Sequence, residues 1–240
     1  MNLKNRTILI TGANRGIGRA LVEEALKREV KRVYAGTRNS FQYSDKRVTL
    51  LTLDVTNAEQ IQRAVSDIDT LDILINNAGI AMYDDLSKPD VIEKHLAVNL
   101  FGSLNVTRAF LPLLKRSKGA VVNNLSTSAV APLPIIPGYS ISKAATLSMT
   151  QSLRALLTGH GVSVHAVLSG PVDTDMTRGV DFPKASPESV AAAIFDGLEK
   201  GEEEIFPDPM SQSIADGWHH GVTKALERQS AIFVPESVAL

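Results

Sequence analysis

The chain has 240 residues, of which 44% are hydrophobic, and contains no cysteine. Its 25 Lys and Arg residues nearly balance its 26 Asp and Glu residues, which gives a formal net charge of −1. This length is sufficient for one hydrophobic core, and the composition excludes disulfides, thiolate metal sites and a cysteine nucleophile. The near-neutral charge argues against a protein that binds nucleic acid or a membrane surface.

The first predicted element is the apolar run Thr7–Ile10, which suits a strand buried on both faces. It begins close to the N-terminus, where the sequence shows no apolar region of a signal peptide and no apolar run of membrane length. We therefore expect a cytoplasmic protein that does not contact the membrane.

A glycine-rich turn joins this strand to a helical pattern that includes Ala20 and Leu21. Its spacing is G-x-x-x-G-x-G. Glycines permit a tight turn and close approach of backbone to phosphate, and the following helix N-terminus supplies N–H groups. A purely structural turn would fit the same pattern. The dinucleotide-binding interpretation assigns the cofactor to Gly12, Asn14, Arg15, Gly16, Ile17 and Gly18.

The second predicted strand, residues 32–38, ends in Thr37 and Arg38, and no acidic residue follows before Asp45. In a dinucleotide-binding unit this position meets the adenosine ribose, where a carboxylate would repel a 2′-phosphate. Arg38 and Arg15 could instead form charge-assisted hydrogen bonds with that phosphate. This pattern favours NADP(H) over NAD(H); the alternative is that Arg38 is a solvated loop residue.

Small and polar residues also follow the third and fourth predicted strands, 48–53 and 71–75. Such residues at the carboxyl end of a strand let the backbone approach a ligand closely. Asp54 could accept a hydrogen bond from an adenine amine. Plain turn residues are the alternative for each of the candidates, which are Asp54, Val55, Asn77, Ala78 and Gly79.

Residues 89–116 are predicted to form one or two long helices, with Asn99 in the middle of an apolar stretch. A polar residue on such a helix usually faces solvent, and a buried one needs hydrogen-bond partners. A kinked helix in which Asn99 bonds to backbone and water would give this residue a functional role.

The fifth predicted strand, residues 119–126, ends at Ser126. Ligands lie beyond the carboxyl ends of the strands in open parallel sheets, so the Ser126 hydroxyl is a candidate for substrate binding. Thr127 and Ser128 are nearby competitors for the same role.

A helix predicted over residues 139–158 opens with Tyr139, and Lys143 lies four residues later on the same helical face. A free tyrosine has a pKa of about 10, and a neighbouring cation lowers that pKa toward neutrality. The pair therefore predicts an acid–base catalyst. A surface tyrosine and a solvated lysine on one helix are the alternative.

The remaining elements complete an alternation of strands and helices. Strands are predicted at 162–168 and 203–206, a helix at 187–198, and one final helix through Ile214 and Leu226. This alternation predicts an α/β fold, a single-domain doubly wound parallel sheet (Rossmann) of about seven strands with helices on both faces.

These motifs, in this order and spacing, resemble the short-chain dehydrogenase/reductase family from Thr7 to about Phe206. The resemblance implies an NADP(H)-preferring carbonyl reductase or alcohol dehydrogenase that acts on a small-molecule ketone, aldehyde or alcohol. The matching features are Thr11-Gly12-x-x-x-Gly16-x-Gly18, Asp54-Val55, Asn76-Asn77-Ala78-Gly79, Asn99, Ser126, Tyr139-x-x-x-Lys143 and Gly170 through Thr174.

The resemblance also implies a role for each residue. Tyr139 would be the general acid for reduction, or the base for oxidation, and Ser126 would bind the substrate oxygen. Lys143 would lower the pKa of Tyr139 and bind the nicotinamide ribose, while Asn99 would hold a water that links Lys143 to solvent. The carboxamide end of the cofactor would meet Gly170, Val172 and Thr174.

One departure from the family pattern is Ser169, which stands where relatives usually have proline. The resemblance places a substrate lid over residues about 176–215 and a C-terminal helix and tail over 211–240. The apolar lid residues Met176, Val180 and Phe182 suggest a hydrophobic pocket, with core packing as the alternative.

Two alternatives to this expectation are a regulatory NADP-binding protein and a non-redox epimerase or dehydratase. A regulatory NADP-binding protein would be expected to have lost the tyrosine or the lysine, and an epimerase or dehydratase would be expected to carry an added substrate domain. Relatives associate through the helices around residues 98–116 and 139–158, which predicts a homodimer or homotetramer. No metal site is expected, because the five histidines lack ligand spacing: His95, His160, His165, His219 and His220.

Overall fold

The computed structural model describes residues 1–39 and 42–234, which contain one seven-stranded parallel sheet in the order β3-β2-β1-β4-β5-β6-β7. The fold class predicted from the sequence is therefore confirmed. The strands are β1 (Thr7–Thr11), β2 (Arg32–Thr37), β3 (Val48–Thr52), β4 (Ile73–Asn76), β5 (Ala120–Asn124), β6 (Ser163–Val167) and β7 (Glu204–Ile205).

Helices cover both faces of this sheet, because the strands are apolar on both sides and need cover on each. The helices are α1 (Gly16–Lys27), α2 (Ala58–Ser66), α3 (Pro89–His95), α4 (Ser103–Ser117), α5 (Pro137–Leu157), α6 (Pro187–Lys200), α7 (Pro209–His219) and α8 (Val222–Ser230). Short 3₁₀ turns lie at Thr127–Ala129, Thr158–His160 and Asp175–Thr177.

Two hydrophobic clusters sit on the two faces of the central strand β1. Ile8 and Ile10 pack with residues of α1 and α6, including Leu21 and Phe195. Leu9 points the other way and packs with residues of α2, α4 and α5. The alternation follows from the two-residue period of a strand.

The long helical region predicted over 89–116 is continuous but changes its winding. A π-helical segment, Leu96–Gly102, joins α3 to α4 and contains Asn99. The whole run Pro89–Ser117 has the length and mean hydropathy of a membrane span, which the sequence analysis did not anticipate. Val106, Phe110 and Leu114 of this run are fully buried in the core cluster of one sheet face, as in a core helix.

The prediction of a single final helix through Ile214 and Leu226 is wrong, because two helices occupy this region. Gly221 has an extended backbone (φ −80°, ψ 163°) and begins α8, so the chain breaks between the two helices. The apolar spacing of Ile214, Trp218, Val222 and Leu226 runs across the break and conceals it. Part of the predicted C-terminal tail, residues 235–240, lies outside the described residues.

Candidate active site

One cleft of 1480 Å³ runs along the carboxyl ends of the strands, across the switch point between β1 and β4. Every predicted site residue except Asn99 lines it. These residues are Gly12, Asn14, Arg15, Gly16, Ile17, Gly18, Thr37, Arg38, Asp54, Val55, Asn77, Ala78, Gly79, Ser126, Tyr139, Lys143, Gly170, Val172 and Thr174.

The glycine turn has the backbone that its sequence predicts. Gly12 and Gly16 have φ values of +66° and +52°, a region that favours glycine. A Cβ on Gly18 would lie 2.1 Å from the Gly12 carbonyl oxygen, so no side chain fits there. Helix α1 starts at Gly16 without a side-chain cap or an acidic residue in its first turn, which leaves its N–H groups facing the cleft.

A hydrogen-bonded cluster fixes this turn against the end of β4. The Thr11 hydroxyl accepts from the N–H groups of Asn77 and Ala78, both at 3.0 Å. The Asn77 side-chain amide donates back to the Thr11 backbone carbonyl at 2.9 Å, and the Asn124 side-chain amide donates to the Asn77 Oδ1 atom at 2.9 Å. Sequence analysis missed the role of Asn124, which becomes visible only once β4 and β5 are paired.

The two predicted phosphate-binding arginines are exposed and line the cleft. Arg15 donates to the Asp175 carboxylate at 3.0 Å. Burial raises the pKa of Asp54, but hydrogen bonds from Thr56 and the charge of Arg38 outweigh it, so that pKa is lowered. The Asp54 carboxylate is thus ionised beside the second arginine.

The Thr37 hydroxyl already has protein partners. It donates to the Asn39 carbonyl at 3.1 Å and accepts from the Asn39 N–H at 3.3 Å. Thr37 therefore shapes the turn after β2 as well as lining the cleft.

Tyr139 is 8% exposed, and the Ser126 side chain lies close enough to its phenol to lower the phenol's pKa by a hydrogen-bonding interaction. This interaction selects Ser126 over its neighbours Thr127 and Ser128 as the hydroxyl that meets the phenol. Burial raises the pKa of Tyr139 to about 12, and the interaction with Ser126 opposes that rise only in part. The expected lowering of this pKa by Lys143 does not appear, because desolvation of the buried phenol is the larger effect.

Lys143 lies beside Tyr139 on α5, with its Nζ atom 5.5 Å from the centre of the tyrosine ring. It is 6% exposed, and burial lowers its pKa to about 8. The Nζ atom donates to the Asn124 carbonyl at 2.7 Å. An ammonium has three N–H donors, so donors remain for a ligand in the cleft.

Asn99 lies behind the cleft wall and is bonded on every side. Its side chain accepts from the Ile80 N–H at 2.9 Å and donates to the Ile80 carbonyl and the Ser142 hydroxyl at 3.0 and 2.8 Å. Its carbonyl accepts from the Ser103 and Thr146 hydroxyls. The π-helical segment lies where the sequence predicted a kink, and Asn99 within it is buried.

Asn99 and Lys143 converge on Gly79. A Cβ on this glycine would stand 3.2 Å from the Asn99 Oδ1 atom and 3.8 Å from the Lys143 Nζ atom. The missing side chain therefore leaves a small polar space between the two residues.

The other half of the cleft is apolar. Among the described residues, the charged side chains that line the cleft are Lys143 and four on the glycine-turn side, namely Arg15, Arg38, Asp54 and Asp175. The far half is lined by apolar residues from three separate segments: Val130, Leu133, Ile135, Met176, Val180, Phe182, Met210 and Ile214. An uncharged, apolar ligand suits this half.

The region predicted as a lid divides in two. Residues 176–183 and the start of α7 line the cleft. Helix α6 lies between them in sequence but belongs to the core, since Val190, Ile194 and Phe195 are fully buried against α1.

The chain is similar to known proteins in its family motifs, in its whole sequence and in its fold. Residues 6–183 match the short chain dehydrogenase family. The chain is 32% identical to 11-beta-hydroxysteroid dehydrogenase-like 3 of Arabidopsis thaliana over 228 residues, which cover 85% of this chain and 74% of the relative. It is 32% identical to estradiol 17-beta-dehydrogenase 2 of Mus musculus over 194 residues, 74% of this chain but only about half (51%) of that relative.

A solved structure is similar over almost the whole chain. It is a short chain dehydrogenase from Burkholderia cenocepacia J2315 in complex with NADP, which is 40% identical, with a TM-score of 0.85. The alignment covers 95% of this chain and 99% of that one. The family match, the sheet order and the residues around Tyr139 agree, and the chain belongs to the short-chain dehydrogenase/reductase family of oxidoreductases.

Proposed function

We propose that the protein binds NADP(H) and reduces a carbonyl compound to an alcohol, with Tyr139 as the general acid. The observation that carries this proposal is the contact of the Tyr139 phenol with Ser126, beside Lys143, in the same cleft as the glycine turn. Three segments meet there: the glycine turn, the end of β5 with Ser126, and the first turns of α5 with Tyr139 and Lys143.

The cleft fits a dinucleotide with a 2′-phosphate. The glycine turn has no room for a Cβ at Gly12 or Gly18, and the N-terminus of α1 offers free N–H groups to a pyrophosphate. Arg15 and Arg38 line the part of the cleft expected to hold the adenosine ribose. The residue at the end of β2 in this part is Thr37, whereas an acidic residue there would repel a 2′-phosphate. The Burkholderia relative, at 40% identity, holds NADP. These points support NADP(H) over NAD(H).

The proposed chemistry divides between cofactor and protein. Bound NADPH would supply the hydride that reduces the substrate carbon. Ser126 donates a hydrogen bond to the substrate oxygen and stabilises the negative charge that develops there. Tyr139 gives its proton to that oxygen, and Lys143 and Asn99 would restore the proton through a water in the space at Gly79.

The raised pKa of Tyr139 sets the protonation state in which the phenol meets a carbonyl substrate. With a pKa of about 12, the Tyr139 phenol is fully protonated at neutral pH and is ready to act as an acid. The cationic Lys143 would stabilise the phenolate that remains after proton transfer. Oxidation of an alcohol would need the phenolate at the start, which burial disfavours.

The proposed substrate is an uncharged, largely apolar ketone or aldehyde. The far half of the cleft carries no charged side chain among its described lining residues, and its apolar residues surround the position beyond Ser126. The relatives named as hydroxysteroid dehydrogenases also suggest apolar compounds of this kind as substrates.

The test is Tyr139→Phe, which removes one hydroxyl and keeps the ring. We expect kcat for NADPH-dependent carbonyl reduction to fall about 10²- to 10⁴-fold, with NADPH affinity unchanged. Tyr83→Phe is the matched control, because Tyr83 also lines the cleft but is 71% exposed at its mouth. Turnover retained in Tyr139→Phe would disprove the acid role. A wild-type protein that binds NADPH but reduces no carbonyl compound would support a regulatory role instead.

A further inference from the structure

Residues 80–84 follow β4, and the first four of them line the cleft. Every second residue of this segment is hydrogen-bonded to the helical layer behind the catalytic side chains. The Ile80 N–H bonds to Asn99 at 2.9 Å, the Met82 N–H to His95 at 3.0 Å, and the Asp84 carboxylate accepts from the Gly138 N–H at 3.1 Å.

Asp84 caps α5 from a distance in sequence. Helix α5 begins at Pro137, which has no N–H, and Ile136 before it provides no side-chain cap. Gly138 is therefore the first donor of the helix, and both Asp84 carboxylate oxygens lie within 3.2 Å of its nitrogen. A carboxylate at this end is also favoured by the helix dipole.

The contact is tight enough to explain why position 138 is glycine. A Cβ on Gly138 would lie 3.1 Å from the Asp84 Oδ2 atom and 3.2 Å from the His95 Nδ1 atom. Both side chains therefore pack closely against the backbone of Gly138, the residue before Tyr139.

His95 contacts the tyrosine itself. It is fully buried, and its ring meets the Tyr139 ring edge-on, with centres 6.2 Å apart and planes at 72°. Its Nε2 atom accepts from Met82, so in the neutral ring the proton is on Nδ1. The buried Nδ1 makes no well-aligned hydrogen bond among the described residues, although the Val91 carbonyl one turn earlier interacts with it.

We propose that Asp84 is a positioning residue that, together with His95, fixes the first turn of α5 so that the Tyr139 phenol faces Ser126. The proposal rests on the acid role of Tyr139. It adds that residues 80–84 and the catalytic acid are held as one unit, so that removal of the Asp84 carboxylate would misplace the acid without touching the cofactor half.

The test compares Asp84→Ala, Asp84→Asn and Asp85→Ala. Asp85 is the matched control, because it is the next residue, is exposed and accepts hydrogen bonds from the Ser87 N–H and hydroxyl. With NADPH and the uncharged probe 9,10-phenanthrenequinone, Asp84→Ala should lower kcat about 10- to 100-fold, since small misplacements of a catalytic group have effects of this size. KM for NADPH should stay unchanged. Asp84→Asn should restore kcat to within about threefold of wild type, because Asn and Asp are equivalent caps.

Amide hydrogen exchange tests the contact independently of turnover. In Asp84→Ala the Gly138 amide should exchange at least about tenfold faster, and in Asp85→Ala it should exchange at the wild-type rate. Unchanged exchange in Asp84→Ala, or equal kcat in Asp84→Ala and Asp85→Ala, would overturn the proposal. Turnover retained in Tyr139→Phe would instead refute the acid role and leave the exchange result intact.

Discussion

The cofactor half and the substrate half of the cleft are built in different ways. The cofactor half consists of short turns that directly follow β1, β2 and β4, where backbone groups and glycines meet the ligand. The substrate half is made of residues 80–83, the lining residues between 130 and 136 and between 176 and 183, and α7. Local spacing therefore describes the first half and says little about the second.

Asp208 shows how the two halves are joined. It is 2% exposed at the N-terminus of α7, where it accepts from the Ser211 N–H at 3.0 Å. Its other oxygen accepts from the Gly170 N–H at 2.7 Å. One buried carboxylate thus connects the cofactor loop after β6 to the helix that carries Met210 and Ile214 into the substrate half.

The largest effect should come from the cofactor half. Replacing both Arg15 and Arg38 with alanine should weaken NADPH binding about 10³-fold, because two hydrogen bonds to a charged phosphate are lost. NADH binding should change little, since NADH has no 2′-phosphate. Fluorescence titration of each cofactor measures the two affinities.

Arg32→Ala is the control for the arginine pair. Arg32 is also an exposed arginine on β2, but it lies at the opposite end of the strand and donates to Thr49. Equal losses for NADPH and NADH in the double variant would show that the arginines support the fold of the turn rather than select the phosphate.

The fold and the cofactor half were predictable because their signals are local. Each signal spans only a few residues: the glycine turn, the residues that follow β2, and the pair Tyr139 and Lys143. The residues that carry these signals line the cleft. The break at Gly221 was hidden by an unbroken apolar period. The contacts of Asp84 with Gly138 and of Asp208 with Gly170 join residues 54 and 38 positions apart, and no pattern in the sequence marks such pairs.

The sequence also misjudged the electrostatics of the pair at which the two halves meet. It predicted that Lys143 would lower the pKa of Tyr139, but the structure buries both groups, so the pKa of Tyr139 rises and that of Lys143 falls. Burial depends on tertiary packing, which spacing does not reveal.

This burial predicts that Lys143→Met stabilises the resting protein while removing activity. The pKa of Lys143 is about 8 when folded and about 10.4 when unfolded, a difference equivalent to about 3 kcal/mol. Below pH 8 the wild-type protein must keep a buried charge, which the variant avoids. Loss of the charge-assisted bond to the Asn124 carbonyl costs about 2 kcal/mol. The net expectation at pH 7 is a free energy of unfolding about 1 kcal/mol higher.

The stability advantage of Lys143→Met should depend on pH if it comes from removal of a buried charge, and should not depend on pH if it comes from better packing. Between pH 8 and about 10.4 the unfolded lysine binds the proton that the folded one has lost, so wild-type stability rises with pH and the advantage of the variant shrinks. Urea unfolding at pH 7 and pH 10 measures both values. Lys31→Met, at an exposed lysine, is the control. An advantage that is the same at both pH values would contradict the electrostatic explanation.

The smallest effect should come from the substrate half, because many weak apolar contacts there each contribute a small part of the binding free energy. Ile214 lines the cleft and is partly exposed, so Ile214→Ser should lower kcat/KM for a multi-ring ketone about 5- to 10-fold, equivalent to about 1 kcal/mol of lost apolar contact. A two- or three-carbon aldehyde has little apolar surface to place against Ile214, so its kcat/KM should change much less. Leu226→Ser is the control, because Leu226 is exposed on α8 and does not line the cleft. Equal losses for both substrates would mean that α7 acts on the cofactor loop through Asp208 instead of on the substrate, which would remove the distinction between the two halves.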